Sequence, residues 1–423
     1  MDLLPIELYV YLSNYLDDNS LLQFLSTCKS IQEISKFVYF NNYYSYEKIK
    51  NVFSKYNFKT VEFVVNYQNF NNIPHGVTEL FFIDKFNKSI DYLIPNTVKY
   101  IEFGRNFNKN IIYLPESVTH IIFGYRFNKS IKGCRDKSQL VSCGTREQGI
   151  PNSVTLSSCV VDEHSHRVFK NSPEGQVREK VLPSRLTHLT FGEKFNQPID
   201  ESIPESITHL TFGSHFNQPI LGCIPNNITH LTFGWNFNQP IEGCIPNNVI
   251  HLTFGECFNQ PIKGCIPNNI THLKFGYNFY QPINGCIPDS VTHLIFGYCF
   301  NQSIKGCIPN GVIRLKFGYH FNQPIEGCIP NSIKYLIFGD AFNQCIKECI
   351  PDSVIHLKFG YHFNQPIKGC ISNGVTHLTF GACFNQPIEG CLPESITHLT
   401  LSNFYYNNNK QFINPNIIIN IYE

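Results

Sequence analysis

The sequence predicts a small all-α module at the N-terminus, followed by a β-rich solenoid with one long parallel sheet and irregular or 3₁₀ returns. Three observations lead to this fold class. The motif Phe-Asn-Gln-Pro-Ile recurs with a period of 21 residues. A short alternation of apolar and polar residues precedes each copy, and prolines divide the segments between copies. A regular period of this length is typical of stacked strand-and-turn repeats.

The repeat covers most of the chain. Copies in strict register begin at Phe195, Phe216, Phe237, Phe258, Phe279, Phe300, Phe321, Phe342, Phe363 and Phe384. Earlier copies, in which Lys replaces Gln, begin at Phe86, Phe107 and Phe127.

Each unit contains one short strand. Ile207, Leu210 and Phe212 have the apolar spacing of leucine-rich repeats, and side chains alternate between the two faces of a strand. We therefore expect Leu210 and Phe212 to point inward, and His209 and Thr211 to point outward. Prolines in the remainder of the unit favour turns over helices. A single unit buries too little apolar surface to fold alone, so the units must stack, and the array needs a cap at each end.

The sequence divides the chain into six predicted segments. They are a helical module at 1–45, a linker and cap at 46–72, repeats at 73–134, a disrupted segment at 135–181, repeats at 182–401 and a second cap at 402–423. The disrupted segment is either an inserted loop or a set of decayed repeats, or it reflects an altered reading frame, and we expect it to be poorly ordered. Its Cys143, Cys159, His164 and His166 lack the paired spacing of a zinc finger.

Composition excludes several classes of partner and location. Lys and Arg number 33 against 32 acidic residues, and the net charge of +1 favours neither nucleic acid nor membrane as a partner. The N-terminus lacks the basic and apolar regions of a signal peptide, which favours an intracellular, cytoplasmic protein with reduced cysteines. No motif for a catalytic nucleophile, phosphate loop or metalloprotease occurs, so we predict no enzymatic activity and no cofactor.

The outward histidines are predicted to form a column, and three roles remain open for it. They are a metal ladder, a protein-binding surface, or a solvated face inherited with the repeat. A straight row of ligands suits the tetrahedral preference of zinc poorly, so no metal is predicted. The residues predicted to form a target-binding surface are His209, His230, His251, His272, His293, Arg314, Tyr335, His356, Lys274, Lys316 and Lys358.

Two further columns are predicted to be structural. A cysteine recurs at positions such as Cys223 and Cys244, where its small apolar side chain suits packing better than disulfide formation. The Asn of each motif, such as Asn196 and Asn217, is expected to bind backbone groups of neighbouring turns rather than to form a row of ligands.

The repeat resembles the FNIP repeat family, on the motif Phe-Asn-x-Pro-Ile together with Ile-Pro-x-Ser-Ile-Thr-His-Leu-x-Phe-Gly. The resemblance implies a leucine-rich-repeat-like binding array, of a family found in social amoebae and in large DNA viruses that infect them. A viral protein of this kind would act inside the host cell.

The first 40 or so residues resemble an F-box, on Leu4-Pro5-Ile6-Glu7-Leu8 and the leucines that follow, although Ser30-Ile31 stands where the family has Trp. The resemblance implies docking onto the Skp-type adaptor subunit of a cullin-based SCF ubiquitin ligase. The residues that match the docking contacts are Leu4, Pro5, Leu8, Leu12, Leu16 and Leu22. The leading hypothesis is therefore a substrate-recognition adaptor that presents a protein target for ubiquitination. The alternative is a protein-binding or scaffolding solenoid without a ubiquitin-ligase role.

Overall fold

The fold is a solenoid built on one parallel sheet, seen in a computed structural model that describes residues 6–27, 29–132 and 181–422. The described strands form a single 17-stranded sheet, in which each strand pairs with the strands before and after it in the chain. One strand with its return segment is called a rung below. The returns between strands are irregular turns, as their proline content predicts.

The helices lie at the two ends of the chain. The N-terminal ones are α1 (Ile6–Ser13), α2 (Asp18–Leu25), α3 (Lys29–Gln32), a 3₁₀ turn (Glu33–Lys36) and α4 (Tyr46–Ile49). Near the C-terminus are α5 (Asn403–Asn409) and a 3₁₀ turn (Lys410–Phe412). The Asp17 side chain accepts a hydrogen bond from Ser20 N and so caps α2. Among the described residues, no helix has the length and apolar character to span a membrane.

The strands are short and regularly spaced. They are β1 (Tyr39–Ser45), β2 (Asn57–Val65), β3 (Glu79–Phe82), β4 (Tyr100–Glu102), β5 (His120–Ile122), β6 (His188–Thr190), β7 (His209–Thr211), β8 (His230–Thr232), β9 (His251–Thr253), β10 (His272–Lys274), β11 (His293–Ile295), β12 (Arg314–Lys316), β13 (Tyr335–Ile337), β14 (His356–Lys358), β15 (His377–Thr379), β16 (His398–Ser402) and β17 (Ile418–Tyr422).

The sheet begins inside the segment that the sequence assigned to a helical module, so the expected all-α boundary at residue 45 is wrong. Strand β1 starts at Tyr39 and pairs with β2, which lies in the expected linker. The buried carboxylate of Asp18 explains the junction, because it accepts hydrogen bonds from Asn41 N and Asn42 N, both at 2.8 Å. Helix α2 therefore covers part of the first strand, and the helices and the solenoid are packed together.

The core consists of stacked apolar columns, one residue per rung. Leu210 and its equivalents are fully buried. The ring of Phe212 stacks on Phe216 of its own rung at 4.0 Å and on Phe233 of the next rung at 5.7 Å. Each Phe therefore packs within its rung and between rungs. The predicted inward orientation of the Leu and Phe positions is confirmed.

Two sets of glycines allow the rungs to stack. A Cβ built on Gly276 would lie 1.9 Å from the carbonyl oxygen of Gly255, so adjacent backbones touch at this position. Gly264 and its equivalents instead have φ near +70°, a conformation that a side chain disfavours. Glu201 and Glu348 occupy the same turn position with φ of 47° and 59°.

The disrupted segment separates two rungs that are direct neighbours. His120 pairs with His188 in the sheet, and Asn196 N donates to Asn128 Oδ1 although the two residues are 68 apart in the chain. The same contact joins residues 21 apart in regular rungs. This pairing favours an insertion over decayed repeats. The expectation of low order there, and the residues Cys143, Cys159, His164 and His166, fall outside the described residues.

Candidate functional site

The outward face of the sheet is the candidate site. We define it as the side chains of the first and third residues of strands β5 to β16. In most of these strands the middle residue is a buried Leu, and its two neighbours are half-buried or exposed. Alternation of side chains along a strand accounts for this pattern. The outward orientation expected for His209 and Thr211 is confirmed.

The first outward position carries a continuous stack of imidazole rings. From His120 to His293, successive ring centroids lie 4.1–4.3 Å apart and the rings are nearly parallel. Arg314 interrupts the stack, which resumes as Tyr335, His356, His377 and His398. His120 also belongs to this column. The sequence analysis did not include it, because His120 lies 68 residues before His188 instead of the regular 21. The spacing follows from the distance between neighbouring strands.

Threonines orient most of these rings. In eight rungs the residue before the His is Thr, and its hydroxyl lies 2.8–3.0 Å from the Nδ1 atom. The Thr208 hydroxyl also donates to the Thr187 carbonyl oxygen of the preceding rung. Since a hydroxyl has one proton, the Nδ1–H of His209 then donates to the Thr208 oxygen. Nε2 is left as the acceptor of each such ring.

Seven of the stacked histidines have a lowered pKa. Burial, followed by the neighbouring imidazoles of His120, His209 and His230, lowers the pKa of His188 to about 4. Burial is also the largest cause that lowers the pKa of His120, His230, His272, His293, His356 and His377. These seven histidines are therefore neutral at physiological pH and are harder to protonate than a free imidazole as the pH falls.

Fixed positive charges lie on three of five adjacent strands of the same face, namely β10, β12 and β14. Lys274, Lys316 and Lys358 are the third residues of β10, β12 and β14, and their side chains are exposed. Arg314 takes the place of a histidine, and its guanidinium lies 5.9 Å from the ring of Tyr335. The structure thus brings together, on one surface, all of the residues predicted to bind a target.

Exposed or half-buried aromatic residues follow the strands, and the sequence analysis did not single them out. Tyr277, Tyr298 and Tyr319 come directly after the close-contact glycines of three successive rungs, and their rings stack at 4.3 and 4.7 Å. Trp235 holds the equivalent position earlier in the array and is 56% exposed. The signal that could have found them is the large aromatic side chain after the Gly of the repeat, where other rungs have Arg, Glu, Ser, Asp or Ala.

The asparagine column is structural, as expected. Asn196 Oδ1 accepts the backbone N–H of Asn217 at 2.9 Å and the side-chain amide of Gln218 at 3.1 Å. Equivalent bonds recur along the array. The ladder satisfies a turn amide in most rungs, which explains why the motif keeps an Asn.

The cysteine column is also packed in the turns. The Cys244 thiol lies 3.3 Å from the carbonyl oxygen of Glu242, and no disulfide occurs among the described cysteines. Burial raises the pKa of the Cys349 thiol to about 11. Thiols of this kind are poor nucleophiles and poor metal ligands at neutral pH. In the part of the chain that the structure describes, no group of three or more metal-binding side chains converges.

The N-terminal helices expose part of their apolar surface. Leu8, Leu12 and Leu22 are 40%, 46% and 48% exposed, whereas Leu16 is half-buried against the small core of this end. Leu4 and Pro5, the remaining residues predicted to bind an adaptor, lie outside the described residues. The three exposed leucines are accessible to a partner.

Comparison with known families agrees with the repeat geometry. The FNIP repeat family matches the chain in nine overlapping segments, at 86–125, 107–134, 178–215, 216–257, 258–299, 300–341, 321–362, 363–404 and 384–418. These segments cover more than half of the sequence. The chain belongs to the FNIP repeat family. The repeat array expected from the sequence is confirmed, and no F-box is matched alongside it.

Relatives of this FNIP repeat chain include two proteins of Acanthamoeba polyphaga mimivirus. FNIP repeat-containing protein R636 is 36% identical over an alignment of 126 residues that covers 26% of this chain and 32% of R636. FNIP repeat-containing protein L415 is 27% identical over 206 residues, 46% of this chain and 44% of L415. The matches thus span less than half the length of either relative.

A solved structure shares the solenoid. CroV588, described as a circular leucine-rich-repeat protein, matches with a TM-score of 0.62 and 44% identity. The match covers 82% of this chain and 48% of CroV588. The β-solenoid fold, resembling leucine-rich-repeat proteins, is therefore shared with an experimentally determined structure.

Proposed function

We propose that this FNIP repeat protein is a non-enzymatic, intracellular scaffold whose outward face binds another protein. The observation that carries the proposal is the outward face itself, an open surface of twelve adjacent strands from β5 to β16 with no converging metal-binding group among the described residues. Repeat solenoids offer extended surfaces of this kind to protein partners.

The side chains on this face suit protein recognition. Arg314 and Tyr335 are exposed on its adjacent strands β12 and β13, and Arg and Tyr are enriched among residues that dominate binding energy at interfaces. They also replace the histidine of the repeat, so the side chains on β12 and β13 differ from those of most other rungs. A partner is expected to contact β12 and β13.

Proximity labelling in the native cell tests the proposal. Proteins labelled by the wild-type chain are compared with those labelled by a face variant, Arg314→Ala with Tyr335→Ala. The matched control is Leu221→Ala with Lys263→Ala, which truncates two exposed residues on the return segments. We expect one or more partners to be retained by the control and depleted about tenfold by the face variant. A partner set unchanged by the face variant contradicts the proposal.

A second candidate function is that of substrate-recognition adaptor in an SCF-type ubiquitin ligase. It is supported by the exposure of Leu8, Leu12 and Leu22 on α1 and α2, together with the F-box resemblance of these helices. In this proposal the helices dock onto a Skp-type adaptor, and the outward face holds the protein that is ubiquitinated.

A pulldown with a purified Skp-type adaptor separates the two candidates. The adaptor role predicts capture by the wild-type chain and loss of capture by Leu8→Ala with Leu12→Ala, while Leu221→Ala on a return segment retains it. Failure of the wild-type chain to capture the adaptor removes the ligase role and leaves the scaffold proposal intact.

A further inference from the structure

The outward face carries basic side chains but no acidic ones. Between β5 and β16 its positions carry Lys274, Arg314, Lys316 and Lys358, and none of them is an Asp or Glu. The chain as a whole is nearly neutral. Fixed positive charge is therefore concentrated on β10 to β14 of this face.

These cations are not neutralised by ion pairs. The salt bridges among the described residues are Lys50–Glu47 and Lys132–Asp200, and neither involves this face. Two carboxylates on the turns that follow β9 and β13 accept backbone hydrogen bonds. Glu256 binds Tyr277 N, and Asp340 binds Tyr361 N. The cationic groups are thus available to a partner.

The spacing of the lysines is regular. Lys274, Lys316 and Lys358 occupy the same register position on every second strand. Neighbouring strands lie about 4.8 Å apart, so successive lysines are separated by about 10 Å along the array. A chain in polyproline II conformation repeats its side-chain direction every third residue, over about 9 Å. The two spacings match.

We propose that β10 to β14 of the outward face bind an extended acidic segment of a partner protein, with a carboxylate at every third position. The segment crosses the strands, each carboxylate meets one of the three lysines, and Arg314 adds a charge on the middle rung. Tyr277 and Tyr319, at the carboxyl ends of β10 and β12, offer apolar contact beside the charges. This inference rests on the proposed scaffold function and specifies its partner.

Fluorescence anisotropy of the full-length chain provides the test. The probes are three fluorescein-labelled peptides, built from four Glu-Pro-Pro repeats, from the same residues with the glutamates clustered at one end, and from four Gln-Pro-Pro repeats. A single-stranded oligonucleotide of similar length and label is the fourth probe. We expect the Glu-Pro-Pro peptide to bind most tightly, and its affinity to fall with added salt.

The lysine variants replace each residue by one that the repeat already uses. In Lys274→Thr with Lys316→Thr and Lys358→Thr, the new Thr matches Thr211 and its equivalents. The control, Lys263→Asn with Lys305→Asn and Lys368→Asn, makes the same change of charge on return segments, where Asn284 already stands. We expect the face variant to weaken binding of the Glu-Pro-Pro peptide about tenfold and the control less than twofold.

Three outcomes overturn the inference. They are equal binding of the clustered peptide, an unchanged affinity in the face variant, and tighter binding of the oligonucleotide through the same lysines. The scaffold proposal fails separately, when no labelled partner depends on Arg314 and Tyr335. A partner that depends on those two residues, but not on the three lysines or on salt, supports the scaffold and refutes the acidic segment.

Discussion

At the scale of single residues, glycine decides how closely the rungs approach. The close-contact glycines, such as Gly276, lie against the carbonyl group of the preceding rung, where a Cβ would be 1.9 Å from the oxygen. Neither backbone can move away without breaking the sheet bonds on both sides. The turn glycines, such as Gly264, have open space and are required only for their positive φ.

Replacement by Ala is therefore expected to destabilise the protein by different amounts in the two classes of glycine. Gly276→Ala is expected to lower the free energy of unfolding by several kcal/mol, since the methyl group forces two rungs apart. Gly264→Ala is expected to cost about 1 kcal/mol, from backbone strain alone. Chemical denaturation of both variants measures the difference. Equal losses would show that the rungs do not touch at Gly276.

Glu348 offers the opposite test, because it holds the turn conformation without being Gly. Its φ is 59°, as in the glycines one rung before and after. Glu348→Gly is expected to raise the free energy of unfolding by about 0.5 kcal/mol, the relief of strain exceeding the added flexibility of the unfolded chain. The same substitution at exposed Glu326, where φ is not positive, serves as the control and is expected to be neutral or destabilising.

At the scale of the element, the histidine column makes stability depend on pH. Burial and neighbouring imidazoles lower the pKa of His188 to about 4, whereas a His in the unfolded chain titrates near 6.5. The unfolded chain therefore takes up protons first as the pH falls. The stabilising contribution is complete above about pH 7 and is lost progressively toward pH 4.

The unfolding temperature should accordingly fall as the pH is lowered from 7.5 to 5.5. A matched variant replaces alternate rings by Tyr, with His188→Tyr, His230→Tyr and His272→Tyr. Tyr335 already stacks on His356 at 4.6 Å in this position, so the replacement is compatible with the column. We expect the variant to lose part of the pH dependence. A wild-type unfolding temperature that stays flat over this range would count against the stacked column.

Sequence reasoning located the columns because each depends on one period and on alternation along a strand. Leu210 inward, His209 outward and Asn196 in a backbone ladder all followed from repetition. The start of the sheet at Tyr39 could not be found in this way, because β1 and β2 lie before the repeat and depend on the buried Asp18. The stacked tyrosines Tyr277, Tyr298 and Tyr319 were also missed, since the type of residue that follows the Gly varies from rung to rung.

At the scale of the whole molecule, the array is continuous across the disrupted segment. Gly133 follows Ile131-Lys132 as Gly264 follows Ile262-Lys263, and Leu182-Pro183 matches Ile266-Pro267. Removing residues 134–180 would thus place Phe127 and Phe195 at the regular spacing of the repeat. The sequence left insertion and decay as alternatives, and only the pairing of His120 with His188 separates them.

A chain lacking residues 134–180 is expected to fold with its sheet unchanged. Its circular dichroism spectrum should keep the β-solenoid signal of the full chain, and its unfolding temperature should be equal or higher, because fewer residues then connect two paired strands. Removing residues 218–238, one complete regular unit, is the control and should also preserve the fold. Unfolding caused by the first deletion alone would contradict direct pairing of β5 with β6.

The central claim is that the outward face is where a partner binds. Lysine footprinting by mass spectrometry, on the chain with and without a partner found by proximity labelling, tests it most directly. We expect Lys274, Lys316 and Lys358 to become protected from acetylation in the complex, while Lys263, Lys305 and Lys368 on the return segments stay reactive. Protection of the return lysines with none on the face would contradict it.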